Sequence, residues 1–318
     1  SGGSESNNTV FATMFHLGRR GGRKGIVTTT IEHPCVLNAT KWLADEGFPV
    51  TFLDVDEYGL VDMDQLRRAV GPETLLVSVM AANNEIGTVQ DIKAIAAIAK
   101  AAGAYMHTDA TQSVGKIPVS VDDWGVDYMT MSCHKLYGPK GIGGLYVREG
   151  RPLEPLIRGG HQEHGFRAGT YNNQGIMGFG LAAELAKAEL DDYVERIGGL
   201  RRRLRDGILA AVPKCRVNGH PERVLPNTLN VSFPGAEGEA ILLSLDLEGI
   251  RVSTGSACAS GSLDPSHVLM ATGVGPELAH GSIRFSLGRD STEEEVDYVV
   301  SRIGPIIARL RSMSTVSY

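Results

Sequence analysis

From Thr74 to Met80 the chain reads Thr-Leu-Leu-Val-Ser-Val-Met, a continuous apolar strand with no polar face. Such a strand has to be covered on both sides, as in a parallel sheet held between layers of helices. It stops at Ala82-Asn83-Asn84-Glu85-Ile86-Gly87, so polar side chains gather at its carboxyl end. The pattern recurs. Ile26 to Ile31 leads into Glu32-His33-Pro34-Cys35, Ala104 to His107 into Thr108-Asp109-Ala110-Thr111-Gln112-Ser113, and Tyr128 to Met131 into Ser132-Cys133-His134-Lys135. Helices are expected over 36–46, from a cap at Asp62 or Asp64 to the stop at Gly71-Pro72, and from Asp91 to Ala102, where Ile92, Ile95, Ile98 and Ala99 form one stripe. Alternating strands and helices with polar strand ends define an α/β fold with a mostly parallel sheet and one crevice.

Gly143 to Val147 reads as an antiparallel strand, followed by the glycine-rich stretch 159–170 and helices over 175–190 and 193–212. Beyond them, strands at Thr228–Phe233, Arg251–Ser253 and Ser282–Leu287, with a helix at Gly238–Leu247, suggest a smaller α/β layer. A capping box of Ser291 with Glu294 is expected to open the last helix. At 318 residues and 42% hydrophobic, the chain has material for one large domain or two unequal ones. Its net charge of −6 argues against nucleic acid or an anionic membrane as the main partner. The basic stretches at 18–25 and 201–205 read as solvated surface.

No apolar run reaches the ~18 residues of a membrane span and no leader opens the chain, so a soluble, cytoplasmic protein is expected. Cys35, Cys133, Cys215 and Cys258 include no Cys-x-x-Cys pair, which disfavours a disulfide framework and a zinc site; no metal is expected. The Asn-x-Ser/Thr triplets at Asn7, Asn38 and Asn230 are then chance matches.

Lys135 has the strongest chemical setting. An isolated lysine leaving a strand is usually solvated, but this one is backed by a hydroxyl and an imidazole and followed by a Gly-Pro turn. That setting suits a Schiff base with an aldehyde cofactor. An Asp at a strand end is most often a helix cap; Asp109 has a sharper use if a pyridine nitrogen must be held protonated. Ser1-Gly2-Gly3-Ser4-Glu5 opens a helix whose apolar residues begin at Val10, and small residues at a helix N-terminus form an anion site. Cys258 sits among glycine and small polar residues, unlike a buried, inert cysteine.

These segments, in order, resemble those of the cysteine desulfurases of the class V aminotransferase superfamily. The matches are Gly-Gly-Ser-Glu-Ser at 2–6, Glu32-His33, Ser132 to Gly141, Gly159 to Thr170 and Ser253 to Gly261. The resemblance implies the fold of pyridoxal 5'-phosphate (PLP) dependent transferases of fold type I. It implies a large domain, 1–189, around a seven-stranded sheet, and a small C-terminal domain, 190–318, carrying the catalytic cysteine loop. In that family a short lead-in precedes the first motif, so an amino-terminal segment is expected to be missing.

By the same resemblance, Lys135 holds PLP and afterwards shuttles protons, Asp109 pairs with the pyridine nitrogen, Gln112 bonds the ring hydroxyl, and His33 stacks on the ring and moves protons. Gly3, Ser4, Ser132 and His134 hold the phosphate, and Thr170 reaches that of a second subunit in a homodimer. Asn84 lies near the ring hydroxyl and the substrate carboxylate, which Arg284 binds bidentately. His164 stands where the family commonly has Arg. Cys258 attacks the sulfur of L-cysteine, alanine leaves, and a persulfide remains for a sulfur-acceptor protein serving iron-sulfur assembly, tRNA thiolation or DNA phosphorothioation. The long cysteine loop and the following Pro-Ser-His resemble the iron-sulfur and nitrogenase subgroup. Cys35, Cys133 and Cys215 read as structural. An aminotransferase or lyase of the same fold would have no need of Cys258, and a non-catalytic nucleic-acid-associated module would need only the basic stretches.

Overall fold

The structure, a computed structural model, describes residues 1–254 and 264–314. Two compact units make up the chain, the first Ser1–Asp54, Val61–Ala82 and Gln90–Leu190, the second Val55–Leu60, Asn83–Val89 and Asp191–Tyr318. A single cut near residue 189 does not describe the two short excursions. They are held within the second unit by hydrogen bonds: Val89 N–H donates to the Arg223 carbonyl, Leu225 N–H to that of Gly87, and the Thr88 hydroxyl to that of Tyr58.

In the first unit β1 (Gly25–Thr29), β2 (Val50–Leu53), β3 (Thr74–Ser78), β4 (Tyr105–Asp109) and β5 (Tyr128–Ser132) run parallel, and β6 (Gly143–Val147) pairs antiparallel with β5. The order is β2-β1-β3-β4-β5-β6. The sheet thus has six strands among the described residues rather than seven, because the chain leaves β6 for irregular backbone instead of another strand. Every residue of β3 is buried, as its apolar sequence requires. The helices are α1 (Gly3–Arg19), α2 (Pro34–Asp45), α3 (Met63–Ala69), α4 (Ile92–Ala101), α5 (Val121–Trp124) and α6 (Asn173–Ala188). Asp62 caps α3, and Asp91 caps α4. The buried stripe of α4 uses Ala96 where Ile98 was expected. Val10, Phe11, Met14, Ile26, Val36, Leu43, Leu76 and Tyr128 form the core that packs α1 and α2 against the sheet.

The second unit contains α7 (Leu190–Ala211), β7 (Arg216–Asn218), β8 (Thr228–Ser232), α8 (Gly238–Leu247), β9 (Ser253–Thr254), α9 (His267–Ala271), α10 (Pro276–His280), β10 (Ser282–Ser286) and α11 (Glu293–Met313). Its strands form an antiparallel sheet in the order β7-β8-β10-β9. The capping box of α11 lies one residue later than expected, on Thr292 and Glu295, because Ser291 Oγ accepts the Gly288 N–H instead. The basic run on α7 is not uniformly solvated. Arg201 is buried, which together with the charges of Arg205 and Arg202 pushes its guanidinium down to about 10, while Arg203 pairs with Glu293 and Asp297. No helix among the described residues is long and apolar enough to cross a membrane.

Candidate active site

Because β1, β4 and β5 run parallel, their polar termini share one edge of the sheet. Asp109 ends β4 and is buried. Its Oδ1 accepts the Thr111 N–H at 2.9 Å, and its Oδ2 accepts Asn7 Nδ2 from α1 at 2.7 Å. Two residues back on the same face of β4, His107 is enclosed by Ser78 (2.8 Å to Nδ1) and Thr130 (3.2 Å to Nε2). Burial lowers its imidazole to about 4 against the opposing pull of Asp109, so the ring is neutral. Glu32, past the end of β1, accepts Thr29 Oγ1 at 2.8 Å and the Met80 N–H at 2.9 Å. Burial and then the Asp109 charge push its carboxyl up to about 8. His33 follows it as the N-cap of α2, its Nδ1 accepting the Cys35 N–H.

α1 begins at Gly3 with no side-chain cap, and the amides of a first helical turn have no partners within the helix. A Cβ on Gly3 would stand 3.0 Å from Thr111 Oγ1 and within 4 Å of Thr130 and Ser132, so glycine lets the helix N-terminus approach the ends of β4 and β5. After β5 the chain makes a 3-10 turn, Cys133–Leu136, that carries Lys135. Tyr137 then adopts a left-handed conformation, and Gly138 packs so closely on Cys133 Sγ that no side chain fits there. This fixes the backbone around the lysine. Ser132 Oγ lies 2.9 Å from His134 Nδ1. Partial burial and the charges of Lys135, Lys140 and Lys116 hold the His134 imidazole below its ordinary value, marking a positive environment suited to a phosphate.

Other expected residues lie less centrally. Gln112 Oε1 accepts Lys116 Nζ at 2.9 Å. Thr170 is exposed at the end of the glycine-rich stretch, which Arg167 fastens to α1 through Glu5 at 2.8 Å. That arginine is the main reason the Glu5 carboxyl falls to about 2. In this stretch Glu163 and His164 take left-handed backbone angles.

In the second unit Arg284, on β10, donates from Nη1 to the Asn84 carbonyl at 2.8 Å. Its Nε is buried with no hydrogen-bond partner among the described residues. Glu85, next to Asn84, accepts Ser266 Oγ at 2.5 Å; burial raises its carboxyl to about 7 against the pull of that bond and of Arg284. Ser266 is the N-cap of α9, and Ser253 on β9 pairs with Arg284. Cys258 lies outside the described residues.

The sequence reading missed Asn7, His107 and Cys35 as members of this cluster. Asn7 registered only as part of a chance Asn-x-Thr triplet, yet it is fully buried. His107 was signalled by its place two residues before Asp109 on one strand, where both side chains must share a face. Cys133 and Cys215 do pack against hydrophobic clusters.

The class-V aminotransferase family profile matches residues 1–299. Cysteine desulfurase IscS of Clostridium botulinum (strain Hall) is 48% identical over 316 residues, covering 99% of this chain and 79% of the relative. A cysteine desulfurase of Gluconacetobacter diazotrophicus is 50% identical over 315 residues, covering 99% and 78%. Among solved structures, a NifS-like protein matches with a TM-score of 0.90 at 40% identity, over 97% of this chain and 81% of that one. DndA from Streptomyces lividans matches with a TM-score of 0.78 at 38% identity, over 90% and 81%.

The chain belongs to the class-V aminotransferase family, PLP-dependent enzymes of fold type I. Within that family it is a cysteine desulfurase. The residues present fit the cofactor: a buried carboxylate suits a ring nitrogen, and an uncapped helix N-terminus with neighbouring cations suits a phosphate. Thr111 Oγ1, buried beside Gly3 with no partner among the described residues, is a further polar atom such a group would satisfy.

Proposed function

We propose that the chain converts L-cysteine to L-alanine and leaves the sulfur as a persulfide on Cys258, with Lys135, Asp109 and His33 as the main groups around the cofactor. The observation that supports this reading best is the Asp109 carboxylate, buried at a strand end and held by two hydrogen bonds. PLP supplies an aldehyde that captures amines and a ring that accepts electrons. Asp109 keeps a proton on the ring nitrogen, Ser4, Ser132 and His134 bind the phosphate, and Gln112 bonds the ring hydroxyl. Lys135 would hold the cofactor aldehyde and carry a proton at the substrate Cα, and His33 would lie beside the ring and pass protons. Arg284 holds the substrate carboxylate beside Asn84, a planar recognition for which guanidinium is better suited than ammonium. The Cys258 thiolate attacks the substrate sulfur. An S–S bond forms as the Cβ–S bond breaks, the electron pair stays with carbon, and alanine departs after protonation.

A homodimer is part of this proposal. Met177, Leu181 and Leu185 recur at helical spacing along an exposed face of α6, with Met177 76% and Leu181 58% exposed, and Phe166 and Tyr171 add exposed aromatic surface. Thr170 in the adjoining loop would reach a partner's phosphate. A reducing compartment such as the cytoplasm fits the free Cys35, Cys133 and Cys215. The acceptor is proposed to be a protein that takes persulfide sulfur from Cys258 for iron-sulfur assembly or nucleic-acid modification.

Cys258→Ser tests the chemistry. The near-isosteric variant is expected to keep PLP and to respond spectrally to L-cysteine, yet to form no persulfide and almost no alanine, since an alkoxide is a poor partner for soft sulfur. Undiminished alanine production would favour a lyase.

A further inference from the structure

Cys35 sits against the candidate catalytic imidazole. Its Sγ lies 3.0 Å from His33 Nδ1, and its own backbone N–H points at the same nitrogen from 3.2 Å. A backbone amide can only donate, so in the neutral ring Nδ1 presents a lone pair and Nε2 carries the proton. Beside a lone pair the thiol must also act as donor. Burial, with a further contribution from the Asp109 and Glu32 charges, pushes the thiol up to about 11 against hydrogen bonds from Asn7 and Ser4, so it keeps its proton. On its other side Sγ accepts Asn7 Nδ2 at 3.1 Å, the amide that also donates to Asp109 Oδ2 at 2.7 Å. The two hydrogens of one NH2 group thus serve a carboxylate and a sulfur.

We infer that Cys35 is a positioning residue: its S–H and its backbone N–H together hold His33 as the Nε2–H tautomer in one ring orientation, and the path Asp109–Asn7–Cys35–His33 ties that ring to the carboxylate. This deepens the proposed role of His33 and rests on it. Nε2 is then the ring atom that exchanges protons, and Nδ1 is occupied. Alanine at position 35 would leave the backbone bond alone to set the ring, whereas serine would keep a donor in place.

The test is nitrogen NMR of the holoenzyme labelled with 15N-histidine, with His33 assigned by comparison with His33→Gln, alongside steady-state kinetics. The unmodified protein and Cys35→Ser are expected to show an unprotonated Nδ1 and a protonated Nε2. Cys35→Ala is expected to shift both signals toward a tautomer mixture and to lower kcat about fivefold, the scale of one hydrogen bond, with the KM for L-cysteine unchanged. Recovery of kcat in Cys35→Ser supports the inference. A protonated Nδ1 in the unmodified protein, or a Cys35→Ala variant with unaltered signals and kcat, overturns it. Full activity of His33→Gln would instead remove His33 from the chemistry, an outcome the ring-nitrogen signals separate from the role of Cys35.

Discussion

Asn7 Nδ2 lies 2.7 Å from Asp109 Oδ2, joining helix α1 to the end of strand β4 across 102 residues of sequence. Both residues are buried, so little water is at hand to replace the bond if it is lost. Asn7→Ala is expected to cost about 2 kcal/mol of stability, the range for hydrogen bonds to charged groups, and to weaken PLP retention on dialysis. Chemical denaturation followed in the presence and absence of PLP measures both; an unchanged midpoint would contradict the assignment.

Glu32 gives stability a particular dependence on pH. Its carboxyl is raised from 4.5 to about 8 in the folded protein, so across that interval the native state holds a proton that the unfolded chain has released. Its contribution is complete below the unfolded value and is lost as pH rises through about 8. Denaturant midpoints measured from about pH 5 to pH 9 should therefore fall less steeply in Glu32→Gln than in the unmodified protein. Parallel curves would show that Glu32 ionises normally.

Two neighbouring lysines separate position from mere charge. Lys135 lies in the 3-10 turn fixed by Cys133 and Gly138, whereas Lys140 is exposed beyond Pro139. Lys135→Ala should abolish the visible absorbance of bound PLP, and Lys140→Ala should retain it. Retained absorbance in Lys135→Ala would place the anchor elsewhere.

The buried Nε of Arg284 makes replacement by lysine more than a change of length, because an ammonium cannot present two parallel N–H groups to a carboxylate. Arg284→Lys is expected to raise the KM for L-cysteine about tenfold or more, the loss of a charge-assisted hydrogen bond. An unaltered KM, measured by alanine formation, would argue that Arg284 serves the fold.

The parallel sheet and the strand-end residues were legible because apolar strands and polar strand ends are local signals. Asp109 and Lys135 could be picked out from their own segments. The bond from Asn7 to Asp109 could not, since nothing near Asn7 tells which strand α1 crosses. The contacts of Cys35 were hidden for a related reason: its segment reads only as structural, while the helix cap that turns its amide and thiol toward His33 appears only in three dimensions. The capping box of α11 slipped by one residue because both Ser291 and Thr292 have a glutamate three positions on, and only the turn at Gly288 distinguishes them.

The order β2-β1-β3-β4-β5-β6 also bears on when the first unit can acquire its cofactor. Residues 3–7, 32–35, 109–112 and 132–135 meet only after β4 has docked in parallel between β3 and β5 and α1 has closed on it across the 102 residues from Asn7 to Asp109, and contacts far apart in sequence are the slow ones of folding. A nascent chain synthesised only as far as β3 carries the helix N-terminus and His33 but neither the carboxylate nor the lysine. Acquisition of the yellow colour is therefore a late event in the life of this polypeptide, and its onset during refolding times the closure of the sheet.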